Sequence, residues 1–376
     1  MTVSMTKTMT VTMTREFSRR ATLKLVAAGL AAPALIRASV VNAAELDRAI
    51  GSLVMVGFSG KSAGGSFART IAGHIAKGRA ASVVYLSTNI GTRKDVLGLN
   101  KLFHDAGVTH IAIDHEGGTV QRLREQHGFT RIAPALTIAQ KTSPGGAEKI
   151  YATAARELAE AGFTFNLGPV ADLHRAYNPV IGKNKRAYGK DADTVIRYAG
   201  AFVKAHRRYG ITTALKHFPG HGLSKADSHN GFVDIRETWQ PEELKPFAEL
   251  VRLGLADVIM SGHLYVRVGK GNDGELATFS STLVQEVMRR RMGFGGLIMT
   301  DDLDMGAVRK IAQPREAAIR AAQAGYDILL LSNSLKPNAD LPVEAVGWIR
   351  DAVRQGQIQE SQILATAARL KKSRSA

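Results

Sequence analysis

From Leu46 onward the chain alternates between short β-branched or aliphatic runs and longer stretches of helical period. Eight runs read as strands: Leu53–Gly57, Ser82–Leu86, His110–Asp114, Thr164–Leu167, Thr212–Lys216, Val258–Ser261, Leu297–Asp301 and Ile328–Leu331. Runs such as Leu297-Ile-Met299 and Ile328-Leu-Leu-Leu331 are apolar throughout, which is expected of parallel strands covered on their outer side by helices. Between them, Ile150, Ala154, Leu158 and Ala161 share one helical face, as do Val195, Tyr198, Phe202 and His206. Thr282 is placed to cap a helix whose Leu283, Val287 and Met288 face inward and which ends before Gly293. Pro314 suits a first helical position, and Gly325 closes that helix. Eight strand–helix units predict an α/β fold, a single (β/α)8 TIM-type barrel, with a doubly wound sheet as the second reading. No Gly/Ser/Pro-rich linker divides residues 45–376, so they read as one domain.

The N-terminal segment follows a different pattern. A Thr- and Met-rich stretch leads to Ser18-Arg-Arg-Ala-Thr-Leu-Lys24, then an apolar run from Leu25 to Ile36, then small residues at Val41-Asn-Ala-Ala44. A basic region, a short apolar stretch and a small-x-small site describe a signal peptide over residues 1–44. The run is too short to anchor the chain across a bilayer. The paired arginines resemble the twin-arginine export signal, so a periplasmic or secreted location is expected.

The formal charge is +17; six cations against Glu16 put +5 in the leader and leave +12 on the remainder. Such a field favours anionic partners, and for an exported protein the acidic polymer at hand is the cell wall. The basic residues are scattered apart from Arg289-Arg-Arg291 and Lys371-Lys-Ser-Arg374, which equally describes a solvated basic surface. The chain has no cysteine, which excludes disulfides, Cys-based metal sites and a lipid-modified cysteine. No phosphate-binding loop is present.

Candidate chemistry sits where strands end. His110-Ile-Ala-Ile-Asp114 runs into His115-Glu-Gly-Gly118 and Gln121-Arg122; Ala214-Leu-Lys216 runs into His217-Phe-Pro-Gly-His-Gly222 and Asp227-Ser-His229. Val258–Ser261 leads to Gly262-His263, and Leu297–Thr300 leads to Asp301-Asp-Leu-Asp304. In a barrel the C-terminal ends of strands carry catalytic groups, whereas stability alone gives no reason to place charges at one end of four strands. Asp301, kept ionised by neighbouring cations, can attack an electrophilic carbon; the alternative is a helix cap, a role that Asp302 or Asp304 fits better. Asp227 lies two residues from His229, and a carboxylate beside imidazole suits proton transfer near neutral pH. Lys216 and His217 can hold ligand hydroxyls or serve as ion-pair partners, and Asp114 with Arg122 can bind a sugar or form a buried salt bridge. His217 and His221 span Pro219-Gly220, so they do not share a helix face in the manner of a helical metal site.

These residues together resemble glycoside hydrolase family 3, and within it the β-N-acetylglucosaminidases of the NagZ type, over roughly residues 46–335. The resemblance rests on Lys216-His-Phe-Pro-Gly-His-Gly222 followed by Ala226-Asp-Ser-His229, supported by four further blocks. These are Asp114-His-Glu-Gly-Gly118 with Val120-Gln-Arg122, Gly168-Pro-Val-Ala-Asp172, Asn178-Pro-Val-Ile-Gly182 and Thr300-Asp-Asp-Leu-Asp-Met305. It implies a retaining exo-β-N-acetylglucosaminidase in which Asp301 forms the covalent glycosyl intermediate. His229, supported by Asp227, would protonate the leaving oxygen and then activate water, in place of the second carboxylate of the general scheme. Asp114, Arg122, Arg186, Lys216 and His217 would bind the sugar. The sequence departs from the family pattern in Lys183-Asn-Lys185, inserted before Arg186, and at Thr119 and Val233, where arginine and proline are common.

The implied substrate is a glycan containing N-acetylglucosamine, from peptidoglycan fragments or chitin-like oligosaccharides, with no cofactor or metal. Nucleic acid and a stable membrane anchor are not expected partners, and the chain is expected to act as a monomer. Three alternatives stand beside this reading: a β-glucosidase or β-xylosidase of the same family, a β-N-acetylglucosaminide phosphorylase, and a basic barrel that binds wall glycans without cleaving them.

Overall fold

The computed structural model describes residues 42–228, 231–267 and 274–373; the expected export leader, apart from its last residues, and His229 lie outside them. Eight barrel strands run β1 Val54–Gly57, β2 Ser82–Tyr85, β3 His110–Ile113, β4 Phe165–Asn166, β5 Thr212–Phe218, β6 Val258–Ser261, β7 Leu297–Thr300 and β8 Leu329–Leu331. They hydrogen-bond in the order β7-β6-β5-β4-β3-β2-β1-β8, every pair parallel. A parallel bridge between Met299 and Ile328, with Thr300 N donating to Ile328 O at 3.1 Å, completes the ring. Strand neighbours therefore follow chain order, as the strand–helix alternation predicts, and the open doubly wound sheet is excluded.

All but the first residue of β5 are buried along these strands, which is why they read as apolar runs rather than alternating ones. Helices cover the outside, among them Pro144–Glu160, Ala192–Arg207, Pro314–Ala324 and Leu341–Arg354. Their starts have local causes: Asp191 accepts from Thr194 N at 2.8 Å, and Ser143 accepts from Gly146 N at 3.2 Å ahead of Pro144. Gly325 ends its helix in the left-handed conformation at φ 99°. One local expectation is corrected. Thr282 is the first residue of a helix with π-type turns, Thr282–Arg291, and not its cap; the Ser280 hydroxyl accepts from Leu283 N at 3.0 Å instead.

Below the strand ends, one hydrophobic core runs through the barrel, with Val54, Val56, Ile111, Phe165, Leu215, Ile259, Ile298 and Leu329 all inaccessible to solvent. No helix among the described residues is long and apolar enough to cross a membrane.

Candidate active site

The C-terminal ends of β3, β4, β5, β6 and β7 bring one charged cluster together. After β3, a short hairpin pairs His115–Gly117 with Val120–Gln121 and returns Arg122 onto Asp114, its Nη2 3.1 Å from Oδ2. Lys216 rises from β5 with Nζ 2.7 Å from Asp114 Oδ1 and 2.8 Å from Glu116 Oε1, its side chain only 3% exposed. Arg186 grips Glu116 with two parallel bonds, Nε to Oε2 at 2.9 Å and Nη2 to Oε1 at 2.7 Å. The inserted Lys183-Asn-Lys185 forms a compact turn, with Lys183 N bonded to Asn178 O and Lys185 N to Gly182 O, and that turn delivers Arg186 to the cluster.

Charge balance explains how these groups stay ionised. Burial alone would raise the Asp114 carboxyl, but Lys216 and Arg122 outweigh it and hold it well below the usual carboxylate range. Glu116 is likewise opposed by burial and lowered on balance by Arg186 and Lys216. In return Asp114 and Glu116, against the cost of burial, raise the Lys216 amine. Of the two readings of Lys216 and Asp114, the structure shows the ion pairing, and it places that pairing at the barrel mouth.

Asp172, fully buried after β4, organises the next group. Its Oδ1 accepts from the main-chain nitrogens of His217 at 3.1 Å and His221 at 2.8 Å. Its Oδ2 lies 2.8 Å from His217 Nδ1, so that nitrogen donates and Nε2 is turned toward Arg186 Nη2 at 3.5 Å. His221 is pushed down to about 4 by burial, with His217 adding to the effect, and is neutral at ordinary pH. Its ring bonds the Ser224 hydroxyl at 2.7 Å and approaches the Ser228 hydroxyl at 3.5 Å.

Asp301 follows β7 directly. Its nitrogen donates to Ser261 O at 3.0 Å, which locks it to the end of β6, and its half-buried side chain accepts from Asp302 N at 2.8 Å. Burial raises this carboxyl, but His263, His217, the Asp302 N–H and Lys216 together lower it below its ordinary value, so it is an ionised carboxylate. Neither Asp302 nor Asp304 caps a helix, because helix Gly306–Arg309 follows Met305 with no side-chain cap; Asp302 Oδ1 instead accepts from Asp304 N and Ser332 N and ties the turn to the end of β8. Burial pushes Asp302 up to about 7. His263 has Nδ1 2.6 Å from the Thr278 hydroxyl and Nε2 2.7 Å from Asp302 O, so Nε2 donates and fixes the turn that presents Asp301.

The structure thus brings Asp301, Asp114, Arg122, Arg186, Lys216 and His217 to one mouth. Asp227 lies half-buried on the loop after β5, and His229 falls outside the described residues. Both flanks of the undescribed pair 229–230 nevertheless rest on the segment that follows Asp301. Ser228 O accepts from Ala307 N at 3.2 Å, and Gly231 packs so closely on Lys310 that an added Cβ would meet Nζ at 2.5 Å. Sequence reasoning quoted Glu116 and Asp172 within motifs but gave them no role; their position inside D-H-E-G-G and G-P-V-A-D was the available signal. Glu243 stands in none of these blocks and has no such signal.

An all-parallel barrel whose strand ends gather carboxylates, two arginines, a lysine and oriented imidazoles has the layout of a barrel enzyme, with its polar groups at the C-terminal face. The family model described as the glycosyl hydrolase family 3 N terminal domain matches residues 45–372. The β-hexosaminidase of Vibrio cholerae serotype O1 is 32% identical over 289 residues, 75% of this chain and 85% of its own length. That of Methylococcus capsulatus is 36% identical over 237 residues, 61% and 69% of the two chains. Among solved structures, the β-N-acetylhexosaminidase of Beutenbergia cavernae DSM 12333 superposes with a TM-score of 0.76 at 27% identity, over 88% of this chain and 98% of that one. A glycoside hydrolase family 3 β-N-acetylglucosaminidase from Paenibacillus sp. str. FPU-7 gives 0.77 at 29%, over 88% of this chain and 62% of its own. The chain belongs to glycosyl hydrolase family 3, and it is a glycosidase.

Proposed function

We propose that the protein is a retaining exo-β-N-acetylglucosaminidase acting on peptidoglycan fragments or chitin-like oligosaccharides. Asp301 attacks the anomeric carbon as His229 gives its proton to the departing glycosidic oxygen. The resulting glycosyl ester on Asp301 is cleaved by water, whose proton passes back to His229, restoring both groups with net retention. Asp227 supports the imidazole. Asp114 accepts from sugar hydroxyls, while Lys216, Arg122, Arg186 and His217 hold the remaining ones; the Nε and Nη2 edge of Arg186 is already taken by Glu116.

One observation carries this reading. An ionised Asp301 faces the Lys216–His217 side of the mouth, and the loop bearing the Asp-Ser-His element is seated, on both sides of residue 229, against residues 307–310 just beyond Asp301. This supports a nucleophile at the end of β7 and a proton carrier on the loop whose described flanks touch the segment after it. The names of the relatives support N-acetylhexosamine as the sugar. The basic pair at Arg19-Arg20 ahead of an apolar run supports export, which sets the substrate outside the inner membrane.

The direct test is turnover of aryl β-N-acetylglucosaminide, β-glucoside and β-xyloside by purified protein, with and without phosphate. Preferred hydrolysis of the first is expected. Preference for another sugar, or sugar phosphate as the product, would replace the reading, and no turnover would favour a binding role.

A further inference from the structure

The loop that leads to the Asp-Ser-His element rests on a buried acid outside the cluster described above. Glu243, on the turn Pro241–Leu244 that precedes helix Lys245–Arg252, is inaccessible to solvent and makes no ion pair among the described residues. Its Oε2 accepts from Gly222 N at 3.1 Å, while Oε1 is buried with no hydrogen-bond partner among the described residues. The loop folds down onto this side chain: a Cβ at Gly220, where φ is 119°, would lie 2.3 Å from Oε2. A Cβ at Gly222 would lie 2.9 Å from Oε1 and 2.2 Å from Leu173 O. Two glycines of the Lys216–Gly222 motif are therefore required by what lies beneath them. Neighbouring ties fasten the same stretch. Trp239 Nε1 donates to Pro219 O at 3.0 Å, and Asn178 Nδ2 donates to His221 O at 2.7 Å.

The charged groups facing Glu243 are the Asp172 carboxylate, whose repulsion adds to burial, and Arg175, a weaker opposing influence. A buried acid with no bonded cation and a carboxylate neighbour keeps its proton. Burial and Asp172 push Glu243 up to about 8. The geometry points to Glu243 as a positioning residue: its uncharged carboxyl seats Gly220–Gly222 so that His221 reaches Asp172 and the Asp227–Ser228 segment reaches Ala307, and loss of its proton unseats the loop. Ionisation places a second negative charge beside Asp172 where solvent has no access, and the nearest relief is for the loop to lift and admit water. This inference rests on the hydrolase reading above.

The test compares wild type, Glu243→Gln and Glu243→Ala on aryl β-N-acetylglucosaminide from about pH 5.5 to 9.5. If wild type is inactive, the function proposal fails and not this one. With an active wild type, Glu243→Gln, an uncharged shape mimic, should keep kcat/KM at pH 6 within about threefold and lose the decline above about pH 8. Glu243→Ala should lower kcat by about 10- to 100-fold, more than it raises KM, because the loop's chemistry is displaced. An unchanged alkaline limb in Glu243→Gln, or full activity in Glu243→Ala, overturns the inference. If the variants do not fold, wild type alone decides. Tryptic cleavage after exposed Lys225, corrected with a free peptide, should accelerate as pH rises through about 8, and a flat corrected rate overturns the inference.

Discussion

Replacing Lys216 by methionine keeps most of the unbranched apolar stem and removes the charged ammonium end. That charge is 2.7 Å from Asp114 Oδ1 and 2.8 Å from Glu116 Oε1, at 3% exposure, so solvent screens it little. Removing one partner of a buried ionic network costs about 3–5 kcal/mol, because the remaining charges are left uncompensated. Arg122 still serves Asp114 and Arg186 still serves Glu116, so the lower end, about 3 kcal/mol, is expected. For a folded domain of this size that is a fall in Tm of about 4 °C.

The sign with pH is also fixed. Asp114 and Glu116 have lowered pKa values in the fold, so their stabilisation is present above the unfolded value, near 4, and is lost as pH falls through the folded values. The Lys216 amine, raised above its ordinary value, stays charged across the assay window. The gap in Tm between wild type and Lys216→Met should therefore be widest near pH 7 and narrow below about pH 4, where the carboxylates can take up protons. kcat/KM should fall about 10²-fold at pH 7 through loss of a charged hydrogen bond to the sugar. A Tm within about 1 °C of wild type at pH 7, or a gap independent of pH, would refute the view that Lys216 neutralises this pair of acids.

Asp301→Ala should lower turnover by about 10³-fold or more while leaving Tm nearly unchanged, since the side chain bonds the adjacent Asp302 N; this is read by steady-state rates beside thermal melts. Asp172→Asn should cut kcat/KM by about 10- to 100-fold, because an amide nitrogen facing His217 Nδ1 would reverse the tautomer that the carboxylate enforces. In that variant an imidazole NMR spectrum unchanged from wild type would count against it. Fusing residues 1–44 to a reporter should send it across the inner membrane, and Arg19→Lys with Arg20→Lys should block transfer. Equal export of both fusions would remove the twin-arginine assignment.

The barrel was legible because its strands are buried on both faces: each of the eight apolar runs became a strand in the predicted ring, even where only Phe165–Asn166 pair regularly in β4. Asp301 and Lys216 were legible for a related reason, since a charge that ends an apolar strand has few places to project except the mouth. Thr282 misled because capping depends on where the chain turns, and the turn brought Ser280 rather than Thr282 to Leu283 N. Asp172 and Glu116 gain their roles from His217 and Arg186, which are 45 and 70 residues away in sequence. No local pattern encodes such partners. Glu243 lay further still from recognition: a glutamate in Pro-Glu-Glu-Leu reads as surface, and only the folded loop reveals what Gly220 and Gly222 accommodate.

The central claim is that the carboxylate ending β7 becomes bonded to the sugar. An activated 5-fluoro N-acetylglucosaminyl donor slows breakdown of a glycosyl ester, so such an ester should accumulate and be seen by mass spectrometry of the intact protein. Digestion should place the added mass on the peptide containing Asp301, and Asp301→Ala should show none. An adduct on another residue, or release of product with no adduct at any time, would contradict the claim.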